Sequence, residues 1–263
     1  MTEQQIQAKR ELTVVKSNAL IQKSRYSLTP LQFDLLTYVI SHISRYDTPG
    51  HKYNFSIKDF CQVVGINDRN GAYTRIKRAL DAIDKISIWV PIDGKEVRVR
   101  WFNTLYMVPG SGEVVLSFHE EIEPHLMGQK EKFTKYIAAQ SYALKKCKYS
   151  KYLFDFCMEY KYQGRVIISL DEFNKYICPN NYTEYRDINQ WILKPAIAEI
   201  NSITDITVHV EAHKTGRKTT HLIFRIEQYK PMKGILDIRE YNRKEALGDY
   251  REDDSGEDDG MPF

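Results

Sequence analysis

The 263-residue sequence predicts an α+β chain made of one unit used twice, and three observations carry that expectation. An apolar helical stretch holding Phe33-Asp34-Leu35-Leu36 is echoed by Phe154-Asp155-Phe156-Cys157. The stretch Phe55-Ser56-Ile57-Lys58-Asp59-Phe60 is echoed by Ile168-Ser169-Leu170-Asp171-Glu172-Phe173. After each echo come a long helical pattern rich in basic and amide side chains and a strand pair around a basic turn. Repeats of roughly 20–50 residues would indicate a solenoid, but this unit is about twice as long, the size of a small domain. Helix, short strand, helix, third helix and β-hairpin is the order of a winged helix, a helix-turn-helix elaborated with a β-hairpin wing. Two tandem winged-helix domains are therefore expected, over residues 12–128 and 129–240, followed by an acidic tail at 241–263 that is expected to be flexible.

In the first unit, residues 1–11 are polar and are expected to fray. From Leu12 to Lys23, Val15, Ala19 and Leu20 recur at helical spacing, which predicts a first helix or an extended arm. Thr29-Pro30-Leu31-Gln32 reads as a helix start: Thr caps, Pro takes the first helical position, and Gln completes a capping box. That helix runs through Leu35, Leu36, Val39, Ile40 and Ile43, and Asp47-Thr48-Pro49-Gly50 closes the region. Phe55 and Ile57 alternate as a short strand, and Lys58 to Val64 is a short helix that Gly65 stops. The third helix is predicted from Arg69 to Lys85. Ile76, Leu80 and Ile83 form its buried stripe, and Thr74, Lys77, Arg78 and Asp81 share the opposite face with Arg75 at its edge. Asp93-Gly94, between Ile86–Ile92 and Val97–Phe102, is a hairpin signal. Val97, Val99 and Trp101 face one way from it, Arg98 and Arg100 the other, and a further strand is expected at Val114 to Phe118.

Gly128 to Lys148 joins the units and carries Lys130, Lys132, Lys135, Lys145, Lys146 and Lys148. It has no Pro/Gly/Ser-rich tether, so ordered packing between the units is expected. The second unit reads as a helix from about Ser150 to Tyr162, a strand at Val166 to Leu170 and a helix from Asp171 to Tyr176. Its third helix starts near Asn181, which with Glu184 makes a cap pair, and runs to about Asn201. Strands Ile206 to Ala212 and Thr220 to Glu227 enclose His213-Lys214-Thr215-Gly216-Arg217-Lys218, a basic wing.

Composition narrows the function. The formal net charge is +3, but residues 249–263 hold Asp249, Glu252, Asp253, Asp254, Glu257, Asp258 and Asp259 against Arg251 alone. The rest of the chain is therefore more basic than the total implies, which fits a polyanionic partner. Cys61, Cys147, Cys157 and Cys178 form no C-x-x-C pair and read as reduced, buried thiols of a cytoplasmic protein. No secretory signal opens the sequence and no apolar run approaches the length of a membrane span.

The third helices are the expected readers of double-stranded DNA. In unit two, Thr183, Arg186, Gln190 and Lys194 fall on one face, with Asn189 beside them. Arg pairs with guanine and Gln or Asn with adenine, so Thr183, Arg186, Asn189 and Gln190 are candidate base contacts and Lys194 a phosphate contact. Lys77 and Arg78 take the base-reading part in unit one, with Arg69 and Arg75 on the backbone. Arg98, Arg100, Lys214, Arg217 and Lys218 are candidate wing contacts with phosphate. A solvated helix face would carry the same residue types. The helix order, the wing and the duplication favour DNA. Trp89, Trp101 and Trp191 adjoin apolar residues and are expected to pack in the core or the hairpins.

The run Leu193-Lys194-Pro195-Ala196-Ile197-Ala198-Glu199-Ile200-Asn201, followed by Thr204-Asp205-Ile206, resembles the second winged helix of plasmid replication initiators that bind iterons. Gly216-Arg217-Lys218 before Leu222-Ile223-Phe224 fits that pattern, as do Val15-Lys16-Ser17-Asn18-Ala19-Leu20 and Leu28-Thr29-Pro30-Leu31-Gln32. The resemblance spans about Leu12 to Gln228 and does not include the acidic tail. It implies a bacterial, plasmid-encoded theta-type initiator with a role in copy control, whose ligands are origin iterons and whose partners are a host initiator protein and the replicative helicase. It further implies monomers on direct repeats and a homodimer that represses its own promoter at an inverted repeat. The extra strand material of unit one, at Ile86 to Phe102 and Val114 to Phe118, offers an exposed edge for that dimer in this reading.

Two rival readings use other chemistry or the same fold. A rolling-circle initiator nicks DNA with a tyrosine and a metal held by a histidine–hydrophobic–histidine motif, and the sequence has no His-x-His. His209 and His213 bracket Val-Glu-Ala in a strand pattern, which is not the His-Glu-x-x-His of zinc proteases, and no Walker A loop occurs. No catalytic residue, metal or cofactor is expected. A winged-helix transcriptional repressor would use the same helices.

Overall fold

The computed structural model describes residues 1–44, 46–67, 71–92, 94–127, 132–179 and 182–228. The chain opens with α1 (Glu3–Arg10), β1 (Thr13–Ser17) and α2 (Asn18–Lys23). The expectation that residues 1–11 fray is corrected. Thr2 and Gln5 form a reciprocal capping box at the start of α1. At its end Arg10 is buried and donates from Nε to the Val63 carbonyl (2.7 Å) and from Nη2 to the Gln62 carbonyl (3.3 Å). A guanidinium rather than an apolar stripe anchors this helix, so hydrophobic periodicity does not reveal it.

The helix α3 (Pro30–Ser41) begins as its sequence requires: Thr29 Oγ1 accepts from the Gln32 amide, and Gln32 Oε1 accepts from the Thr29 amide at 2.8 Å. β2 (Tyr53–Ser56) leads into α4 (Ile57–Val64), whose first turn is capped by the Ser56 hydroxyl. Gly65 ends α4 at φ +80°, a left-handed conformation that costs glycine little. α5 (Ala72–Lys85) buries Ile76, Leu80 and Ile83 on one face, as its periodicity predicts.

Four strands follow: β3 (Ser87–Ile92), β4 (Lys95–Arg100), β5 (Phe102–Met107) and β6 (Glu113–Phe118). β3 and β4 form a separate two-stranded hairpin, whereas β5 and β6 join β2 in a sheet ordered β2-β6-β5. Unit two repeats that topology. Its sheet of β8 (Arg165–Ser169), β9 (Ile206–Thr215) and β10 (Lys218–Gln228) is ordered β8-β10-β9. The topological wing of unit one is therefore β5–β6, and the hairpin around Gly94 is an insertion before it. The sequence reading missed β5 because Phe102–Met107 lacks clean alternation. The expected exposed edge is corrected for its Val114 to Phe118 part, since β6 pairs with β2 on one side and β5 on the other.

After α6 (Glu123–Leu126), strand β7 (Phe133–Ile137) returns to pair antiparallel with β1, Val15 lying opposite Lys135. α7 (Ala138–Ala143) and α8 (Ser150–Glu159) complete the link to unit two. α8 ends three residues before the expected Tyr162. The echoed Phe-Asp motifs meet across this junction. Lys151 Nζ on α8 lies 2.6 Å from Asp34 Oδ1 on α3 and also donates to the Ser141 carbonyl. Lys16 Nζ on β1 lies 2.6 Å from Asp155 Oδ2 on α8, and 4.4 Å from the Phe33 ring centroid. All four charged side chains are nearly inaccessible. Burial pushes the Asp34 carboxyl up and the Lys151 ammonium down, and the partner's charge opposes the shift in each. Aromatic rings pack among the aliphatic side chains of the remaining core, with Phe224 against both Phe156 and Phe173.

Removing one partner of such a pair leaves an uncompensated buried charge, whereas replacing both by apolar groups need not destabilise. Lys151→Met is expected to lower the unfolding free energy by about 3–5 kcal/mol, and the double variant Asp34→Leu/Lys151→Met to recover most of that loss. Chemical denaturation of the single and double variants checks this. Equal losses in the two would show that packing, not charge, holds the junction.

Candidate nucleic-acid interface

The third helix of unit two is continuous from α10 (Tyr185–Ile188) through a π turn, π2 (Asn189–Leu193), into α11 (Lys194–Ile203). It follows α9 (Leu170–Glu172) and a first π turn, π1 (Phe173–Ile177). The helix begins later than its sequence suggests: Thr183 lies on the segment before it, and Glu184 takes the cap position without a side-chain hydrogen bond. The expected cap residue Asn181 lies outside the described residues.

Pro195 accounts for π2. It has no N–H to give the carbonyl of Trp191, and in a regular α-helix its ring would press on that carbonyl. The chain widens instead, and the Lys194 amide reaches back five residues to the Asn189 carbonyl. Ile188, Ile192, Leu193, Ala196 and Ile200 face the core, leaving Arg186, Gln190 and Lys194 on the solvent side and Asn189 half-buried. The Arg186 side chain is 92% exposed, with its Nε 3.4 Å from Asp187 Oδ1. The expectation that all three tryptophans pack is corrected for one. Trp101 is buried and Trp89 half-buried under the Arg25 guanidinium (5.0 Å to the ring centroid), but Trp191 is 59% exposed.

The remaining residues of the same run hold the helix in place. Glu199 is buried, and its carboxylate accepts from the amides of Lys145 (2.6 Å), Lys146 (2.7 Å) and Cys147 (3.0 Å) and from the Ser150 hydroxyl. One side chain thereby satisfies the free N–H groups ahead of α8 and ties that helix to α11. Asn201 brackets the start of β9, donating to the Val208 carbonyl at 2.9 Å and accepting the Val208 amide at 2.7 Å.

Beside this helix, β9 and β10 run further than expected and close through Gly216 (φ +64°) and Arg217. Lys214, Arg217 and Lys218 are all exposed at the tip. In unit one, Arg75, Lys77 and Arg78 are exposed on α5 together with Asp81, while Arg69 lies outside the described residues. Arg98 and Arg100 are exposed on β4, in the inserted hairpin rather than in the β5–β6 wing. That hairpin touches both units. Its Glu96 pairs with Arg25 and accepts from the Tyr176 hydroxyl at 3.3 Å. Sequence reasoning did not find this brace, because no local pattern marks a contact between residues so far apart in the chain.

Cys61, Cys157 and Cys178 are buried as expected, and Cys147 is half-buried. Among the described residues no three His, Cys, Asp or Glu side chains come together as a metal ion would require, and no helix is long and apolar enough to cross a membrane. The acidic tail lies outside the described residues.

Comparison with known proteins agrees with this architecture. The family model described as "Initiator Replication protein, WH1" matches residues 13–158, and that described as "Initiator Rep protein, WH2" matches residues 169–226. A replication initiation protein of Escherichia coli is 29% identical over 251 residues, covering 91% of this chain and 77% of its own. The crystal structure of the Pi initiator protein in complex with iteron DNA shares the fold. Its TM-score is 0.68 at 20% identity, covering 84% of this chain and 99% of that one. Two winged helices, matched in order by the two halves of one family description, make this chain a member of the initiator replication protein family.

Proposed function

We propose that this chain starts plasmid replication by gripping origin iterons in double-stranded DNA. The third helix of unit two is the main base reader and α5 the second. The observation that carries this reading is the exposed row Arg186, Gln190 and Lys194 on a helix that Glu199 and Asn201 hold in place, beside the basic tip at Lys214, Arg217 and Lys218. A solvated helix has no need of such anchoring, whereas a reader does, because hydrogen bonds to base edges depend on register. The related Pi protein, crystallised with iteron DNA, supports the same ligand class. In this reading Arg186, Asn189 and Gln190 contact bases, with Thr183 at the helix entry, and Lys77 and Arg78 do so from unit one. Arg69, Arg75, Lys194, Lys214, Arg217 and Lys218 sit on phosphates. Arg98 and Arg100 do so only where DNA reaches the inserted hairpin. The chain breaks no DNA bond itself, acts in the cytoplasm, recruits the host initiator protein and helicase, and represses its own promoter as a homodimer. The free edge for that dimer is β5, on which Tyr106 is exposed.

Arg186→Ala is expected to cost roughly 1–3 kcal/mol on the iteron and much less on random DNA, read by titrating both duplexes. An equal loss on the two would make Arg186 a phosphate contact. Salt dependence checks the wing. Log K should fall with log salt at about 0.9 per phosphate engaged, and Arg217→Ala with Lys218→Ala should flatten that slope by up to about two. An unchanged slope would take this tip off the DNA. For the dimer, Tyr106→Lys places a charge at the free sheet edge and should lower the dimer fraction in analytical ultracentrifugation while direct-repeat binding persists. An unaltered dimer would move the interface away from β5. A direct repeat beside the coding sequence, bound in gel shifts, separates this reading from that of a plain repressor.

A further inference from the structure

The solvent side of the reader helix carries two rows, not one. Arg186, Gln190 and Lys194 form the polar row. Trp191, Pro195 and Ala198, spaced by four and three residues, form an apolar row along its flank, and all three are exposed. An exposed indole alone is ordinary. Here Trp191 sits within the π turn itself, on the side away from the buried Ile188, Ile192 and Ala196, and Pro195 follows four residues later. The surroundings state what could cover this row. Lys194 stands beside it, Asp187 one turn before Trp191 is paired with Arg186, and Lys214, Arg217 and Lys218 lie on the adjoining wing, so the surroundings are net basic and the complementary surface is anionic. A surface that is anionic and yet offers isolated apolar groups is the major groove of DNA, where the thymine 5-methyl is the one apolar feature on the base edges.

We propose that Trp191, backed by Pro195, is a specificity-determining residue that recognises a thymine in the iteron through its 5-methyl group, alongside the purine contacts of the polar row. This rests on the reading of the unit-two helix as a base reader. Polar and apolar rows then divide the work: one takes guanine and adenine by hydrogen bonding, the other excludes water from a methyl group.

The test uses the full chain and a duplex carrying the direct repeat beside its own coding sequence, with each thymine replaced in turn by deoxyuridine, which removes only the methyl group. Wild-type protein should lose about fourfold in affinity at one thymine, the value of a buried methyl-sized group. Trp191→Ala should bind the unmodified repeat more weakly and be indifferent to deoxyuridine at that position. Trp191→Phe should keep part of the sensitivity. Because the side chain is exposed, both variants should keep the thermal midpoint of the wild type. Iodide should quench the emission of Trp191 in the free protein, and the repeat should protect it. A wild type indifferent to every deoxyuridine overturns the proposal. So does a Trp191→Ala variant with wild-type affinity, which would assign the apolar row to a protein partner. Arg186→Ala separates the two levels of the argument. If it weakens iteron binding but keeps the deoxyuridine effect, both readings stand. If neither Arg186→Ala nor Trp191→Ala changes binding, the helix itself is not the reader.

Discussion

The packing of α3, α8 and β1 depends on two buried ion pairs, each built from an aspartate of one Phe-Asp echo and a lysine from elsewhere in the chain: Asp34 with Lys151, and Asp155 with Lys16. A buried charge without its partner is costly, so neither α3 nor α8 can pack in its place while its lysine is missing. Each pair is good geometry around a heavy desolvation cost, which makes it weak as a source of stability and strong as a condition on arrangement. The condition reaches the proposed DNA-facing side. α8 carries both Lys151 and Asp155, and Glu199 of α11 holds its Ser150 hydroxyl and the amides of the loop just ahead of it. The orientation of the proposed reader helix is thus coupled through α8 to α3 and β1.

What was legible in the sequence was local. The Thr29–Gln32 capping box, the Gly65 stop and the buried stripe of α5 each depend on residues within a turn or two of one another. The duplication was legible because both copies keep the same order of periods. What escaped was set by distant partners. α1 is anchored by Arg10 on carbonyls of α4, β7 is paired to β1 from the far side of unit one, and β5 gains its identity only from β6. A hairpin signal says that two strands turn; it does not say which sheet they join. That is why the insertion at Gly94 passed for the wing.

In the candidate site, the polar row was legible because a face of three- and four-residue spacings survives a single widened turn. Trp191 was not, because it adjoins the core residues Ile192 and Leu193 in sequence and a large aromatic beside them reads as a packed one. The signal was present in Pro195, a residue that cannot sit inside a regular helix without consequence. Glu199 and Asn201 were noticed as parts of a familiar run, and the structure supplies their physical reason as anchors of α8 and β9.

The brace formed by Glu96 with Arg25 and Tyr176 adds a partly exposed tie alongside the buried pairs. Two helices mounted on one frame act as a fixed-gauge pair. Duplex DNA completes a turn in about 10–10.5 base pairs, so one extra pair between two contacted stretches rotates the farther groove by roughly 35°. In the proposed reading, a frame held by the buried pairs and by this brace resists that rotation, so the length and phase of a site engaged by both helices depend on Lys151 and Glu96 as well as on the residues of the proposed reading face.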